Sequence, residues 1–166
     1  QKRVLKEGLL SKSTDNRTID LVRNIFQKRF LDQKLDVTAY IRTMRDKYVS
    51  MDVITQLFLL YTCRANPILA DFIYKVYYKM VKRSYDAPIL SDLTGFVNDA
   101  IASGLIKENW SDSTIEKVAR HINTCLIDFK MVERGKQILP FRASKFTVNY
   151  LLHELHFQGY SDMDIL

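Results

Sequence analysis

Ser113, Lys117, Arg120 and Thr124 follow one another at spacings of four, three and four, which sets all four side chains along one side of an α-helix. A single outward row of cations and hydroxyls is the chemistry that grips nucleic acid. Arg and Lys pair with guanine edges or phosphate, and hydroxyls and backbone N–H groups at a helix start bind phosphate. On the opposite side fall Ile115, Val118, Ala119, Ile122, Cys125, Leu126 and Phe129, an apolar stripe suited to a core. The plainer reading of the same row is a solvated helix face, and Glu116 and Asp128 dilute its positive field.

Three further basic clusters share this chemistry. Lys136, Arg142 and Lys145 occur with no acidic residue between Glu133 and Glu154, where a winged helix-turn-helix places a basic wing against the DNA backbone; a charged loop accounts for them equally well. Thr38, Arg42 and Arg45, near Arg17, Arg23, Lys28 and Arg29, repeat the pattern of two helices joined by a short polar turn, with an Arg42–Asp46 pair as the alternative. Lys75, Tyr78, Lys79 and Lys82, with Tyr74, Arg83 and Tyr85 nearby, interleave cations and rings as single-strand binders do. Asp71 one turn before Lys75 favours an ordinary surface pair there.

Metal and catalytic chemistry find little support. His153 and His156 sit three apart around Glu154, but zinc takes three or four protein ligands and no further Cys or His lies at a fitting spacing. There is no glycine-rich phosphate loop, no GxSxG elbow and no arrangement of an activated nucleophile with its base. The expectation is a protein that is not an enzyme, with no cofactor and no metal.

The elements that must position these residues are helices. No glycine occurs between Gly8 and Gly95, and only Pro67 and Pro88 interrupt that interval, while apolar residues recur at spacings of three and four. An all-α chain of about seven helices follows. The first starts after Asp15 or Asn16 and ends near Leu31, with Ile19, Val22, Phe26 and Phe30 inward. The second covers about 36–48, turning Val37, Ile41, Met44 and Tyr48 inward. The third, about 51–64, is apolar all round and so is the central packing element. The fourth begins near Pro67, a residue tolerated in a first turn, and carries Leu69, Phe72, Ile73, Val76, Tyr77 and Met80 on its inner stripe.

In the second half a helix over about 91–103 ends at Gly104, a natural left-handed cap. The next starts with the capping box Ser113, Thr114, Ile115, Glu116 and ends before Gly135. The turn of 104–112 between them is longer than the three or four residues of a tight helix-turn-helix. Pro140 limits the stretch 136–142 to a short edge, a short wing or a loop. A last full helix over about 145–158 is apolar on two sides and should be heavily buried. Ser161 caps a further one, so the natural chain is expected to continue past Leu166.

With 166 residues, 47% of them apolar, five glycines and three prolines, the chain has a globular composition. It is long enough to bury a core without disulfides. A single domain spanning 1–166 is the default, with a subdivision near 88 as the alternative. Net charge is +6, and twelve of the 25 basic residues, against six acidic ones, lie in residues 1–50; such an excess is the footprint of a polyanion binder. Cys63 and Cys125 follow no ligand spacing and read as buried thiols of a reducing compartment. The longest uncharged run, Val53 to Cys63, has eleven residues, about half of what crosses a bilayer. A cytoplasmic monomer without a membrane partner is expected.

The run from Ser113-Thr114 to Lys117, then Leu126, Asp128 and Phe129, and above all LLHELHFQGYSDMDIL (Leu151 to Leu166), resemble the BrxA family, a small core component of bacteriophage-exclusion (BREX) defence systems. RTIDLVRNIFQKRFLD (Arg17 to Asp32) and ANPILADFIYKVYY (Ala65 to Tyr78) are similar to it as well. The resemblance implies an all-helical protein with helix-turn-helix elements and positive surface charge that binds double-stranded DNA, in a system that methylates host DNA and blocks phage replication. The family has also been described as an inner-membrane protein, against which the eleven-residue limit argues. Family members continue past SDMDIL. The expected function is therefore non-enzymatic double-stranded DNA binding within BREX, in company with other BREX proteins. The alternatives are a protein-interaction adaptor in the same assembly and a helical RNA-binding module.

Overall fold

Among the described residues every regular element of any length is a helix, as the apolar spacing predicts. The structure is a computed structural model and describes residues 4, 7, 10, 14–32, 36–47, 49–83, 86–134 and 137–165. The chain divides into two units, Gln1–Asn66 and Pro67–Leu166, so the break at Pro88 lies inside the second.

In the first unit α1 begins at Asp15–Asp20 and runs on with π-helical winding over Leu21–Leu31. Its cap is Thr14, one or two residues earlier than expected, because the Thr14 hydroxyl accepts the Arg17 N–H at 3.3 Å. The wider winding shows in Asp32 N–H bonding back five residues to Gln27, and Phe26, expected inward, stands 47% exposed. Phe30 keeps its place, with its ring centroid 5.4 Å from Phe58 and 6.3 Å from Tyr61. Helix α2 (Val37–Asp46) is capped by Asp36, whose carboxylate accepts Ala39 N–H at 3.0 Å. Val37 is buried, Ile41 and Met44 are half-buried, and Tyr48 lies outside the described residues. Helix α3 (Met51–Ala65) buries Val53, Ile54, Leu57, Leu59 and Tyr61, which makes it the packing centre of this unit, in contact with both other helices.

The second unit opens with α4, helical over Pro67–Phe72, π-wound over Ile73–Tyr77 and α-helical again over Tyr78–Lys82. Helix α5 (Leu90–Ala102) is closed by Gly104 at φ +73°, where a side chain would be strained. Helix α6 (Asp112–Asp128) packs closely on α5. Two antiparallel bridges, Val132 with Ile138 and Asp86 with Gln137, then set residues 137–138 between the segment before α5 and the segment after α6. Helix α7 (Lys145–Phe157) is capped by Ser144, and α8 (Asp162–Ile165) follows.

Helix α7 departs from expectation. It buries Thr147 and Glu154, while Phe146, Val148, Leu152 and Phe157 are exposed, the last by 78%. An apolar surface on two sides of a helix cannot all be covered by neighbours reaching one of them. Among the described residues no helix is long and apolar enough to cross a membrane.

Candidate nucleic-acid interface

The amphipathic split of α6 places its chemistry. Ile115, Ala119, Ile122 and Leu126 are buried, Val118, Cys125 and Phe129 half-buried, and Ser113, Lys117, Arg120 and Thr124 all exposed on the other side. The helix does not start as the sequence suggests. Its cap residue is Ser111, whose carbonyl accepts Thr114 N–H at 2.8 Å and Ile115 N–H at 3.0 Å. The reading of Ser113 to Glu116 as a capping box is therefore corrected: Ser113 lies within the first turn, its hydroxyl 3.1 Å from that of Ser111.

Glu116, released from capping, reaches forward one turn and holds Arg120 at 2.5 Å. The two side chains are 48% and 64% exposed, so water screens the pair and it contributes about 0.3–0.5 kcal/mol. A phosphate can displace the carboxylate at that cost. Lys117 is exposed and carries no such partner among the described residues. Thr124 donates its hydroxyl proton to the Arg120 carbonyl at 2.9 Å, which leaves only lone pairs to offer a ligand and makes it a poor phosphate contact.

Backbone bonds tie α6 to the chain that follows. Met131 N–H and Val132 N–H both return to the Leu126 carbonyl, at 2.8 and 3.2 Å, through Lys130 at φ 57°. Glu133 N–H to Gln137 and Leu139 N–H to Met131 then close a small hairpin. Where a short edge, wing or loop was expected over 136–142, backbone pairing joins 131–133 with 137–139 and stops before Pro140, which cannot donate to a ladder. Lys136 lies outside the described residues. Arg142 and Lys145 are exposed beyond the hairpin, Lys145 as the first residue of α7.

Tyr77 holds the segment that returns through Leu139 and Phe141. Its ring is fully buried, its hydroxyl donates to the Leu139 carbonyl and accepts Phe141 N–H at 2.8 Å. Burial pushes the phenol pKa up, against the lowering effect of the Phe141 N–H. Sequence reasoning placed Tyr77 only on an apolar stripe; nothing local marks a bond that spans more than sixty residues.

Arg42 and Arg45 are exposed on α2 in the first unit, and Arg45, not Arg42, takes Asp46, at 2.9 Å. The Thr38 hydroxyl donates to Asp36 at 2.8 Å, and the Ala39 N–H followed by that hydroxyl holds the Asp36 carboxyl below its ordinary range. On α4, Lys75 is paired with Asp71 at 2.7 Å while Tyr74 and Tyr78 are exposed. His153 and His156 are exposed on α7, with His156 Nδ1 4.0 Å from Asp162. Among the described residues no group of three or more His, Cys, Asp or Glu is placed to hold a metal. Cys63 and Cys125 form no disulfide.

A model of the BrxA family matches residues 1–154. No curated protein and no solved structure matches the chain.

Proposed function

This chain belongs to the BrxA family, which associates it with BREX-type phage defence, and on that premise we propose that it is a non-enzymatic component that binds double-stranded DNA. The observation that supports this reading is the exposed row Ser113, Lys117, Arg120 on α6, in a helix, bridge, helix, turn, helix, hairpin order that is also the order of a winged helix-turn-helix. The nine residues between α5 and α6 are a long turn for that motif, but α6 still presents one polar face along its whole length. Lys117 and Arg120 meet the major groove, and Arg142 and Lys145 the flanking phosphates. Arg42 and Arg45 of the first unit add a separate backbone contact. Affinity arises mainly from counterions released as phosphates are neutralised.

Mobility-shift titrations with duplex DNA, single-stranded DNA and RNA at several salt concentrations test it. Duplex is expected to bind best, with log K falling against log salt at a slope of about −5 if all six cations neutralise phosphate. No duplex shift at low salt removes the proposal, and a preference for RNA replaces it with the RNA-binding alternative. Glu116→Gln provides a gain-of-function arm. Freeing Arg120 from its carboxylate removes a cost of about 0.3–0.5 kcal/mol, so it should raise duplex affinity by about twofold and steepen the salt slope by about 0.9. An unchanged slope would mean that Arg120 does not face the duplex.

A further inference from the structure

An open groove of about 730 Å³ lies between α4 and the start of α5. Val76, Met80, Ala87 and Phe96 line it with apolar surface, and Ile89 at its edge is 64% exposed. Asp86, Asp92 and Asp99 supply its charge, and no Lys, Arg or His lines it. The Asp92 carboxylate accepts Ile89 N–H at 2.9 Å at the head of α5. Asp86 and Asp99 are exposed, with no side-chain bond or ion pair among the described residues. In a chain of net charge +6 this is a locally anionic surface with an apolar floor.

Gly95 lines the groove as well. It sits in the middle of α5, where glycine costs about 0.5–1 kcal/mol relative to alanine, yet a Cβ built there meets no atom within 4 Å. Packing therefore does not require glycine at this position. Its missing side chain leaves open space on the groove that it lines.

We infer that this groove docks a cationic, apolar-anchored peptide segment of a partner protein, with Leu- or Phe-type side chains on the Val76, Met80 and Phe96 floor and Lys or Arg against Asp86 and Asp99. Charge complementarity selects this occupant: the three carboxylates repel nucleic acid and acidic peptides alike. The volume is that of a site for a few side chains. The surface is distinct from the α6 row and does not rest on DNA binding.

The probe is a short fluorescein-labelled amphipathic peptide of leucine and lysine, followed by anisotropy, with a glutamate-for-lysine analogue and a serine-for-leucine analogue as competitors. Wild-type protein should bind it in a salt-sensitive way, and both analogues should compete poorly. Gly95→Leu extends a side chain over the floor from a position where a Cβ meets no atom within 4 Å, and Asp86→Lys with Asp99→Lys reverses the rim; each should weaken peptide binding by about tenfold. Urea denaturation should show Gly95→Leu at least as stable as wild type, and its duplex DNA titration should be unchanged. No binding by wild type, undiminished binding by both variants, equal competition by either analogue, or loss of duplex binding in Gly95→Leu each overturns the inference.

Discussion

Duplex affinity is expected to fall by roughly a hundredfold when Lys117 and Arg120 are both replaced by alanine, from two contacts at about 1.4 kcal/mol each. The slope of log K against log salt should become shallower by about 2, because each cation that neutralises a phosphate contributes about 0.9. The two single variants should not be equal. Arg120→Ala removes a cation and also leaves Glu116, until then held at 2.5 Å, as an unbalanced carboxylate on the face that meets phosphate. Lys117→Ala removes a cation alone. Arg120→Ala should therefore be the weaker binder, and adding Glu116→Gln to it should recover part of the loss. Both side chains are exposed, so unfolding free energies from urea denaturation should stay within about 0.5 kcal/mol of wild type. Arg45→Ala on α2, which removes a single backbone contact and no groove contact, should cost less than either. Full-strength binding by the double variant at low and moderate salt would take α6 out of the interface.

The faces of α6 were legible in the sequence because amphipathic periodicity is a local property, set by the pitch of a helix and the order of its residues. The all-α character and the central position of α3 in its unit follow from the same signal, as does the left-handed close of α5 at Gly104. What the pattern misjudged was competition between equivalent local solutions. Ser113 and Glu116 have the spacing of a capping box, but Ser111 two residues earlier caps instead, and Glu116 takes Arg120 at an equally standard spacing of four. Helix α7 shows the limit of reading burial from composition: its apolar residues lie on two sides, and neighbours bury the stripe of Thr147 and Glu154. The π-wound stretches of α1 and α4 have no sequence signature comparable to proline or glycine. The groove at Gly95 and the bond from Tyr77 to residues 139–141 join segments distant along the chain, which periodicity does not report.

That bond is the second place where one atom is expected to matter. Tyr77→Phe keeps the ring in its buried site but deletes a hydroxyl that both donates to the Leu139 carbonyl and accepts Phe141 N–H. Two backbone groups then lose their partner beside a fully buried side chain, and an unsatisfied buried group costs about 1–3 kcal/mol. Urea denaturation should show a loss of about 2–4 kcal/mol in the second unit, with the hairpin amides over 131–139 losing protection from hydrogen exchange first. Arg142 follows Phe141 directly, so duplex affinity should drop as well, although Tyr77 itself is buried away from any ligand. The pH dependence distinguishes the hydroxyl from the ring. Burial lifts the Tyr77 pKa above its ordinary value of 10.0, so the native state holds this proton more tightly than the unfolded chain does. The associated stability is fully present below the unfolded pKa and is lost as pH rises through the folded one. Wild type should therefore lose stability on the alkaline side of pH 10 more steeply than Tyr77→Phe, which has no such proton to lose. Equal stability of the two proteins at neutral pH, together with parallel alkaline limbs, would show that the hydroxyl does not hold the hairpin.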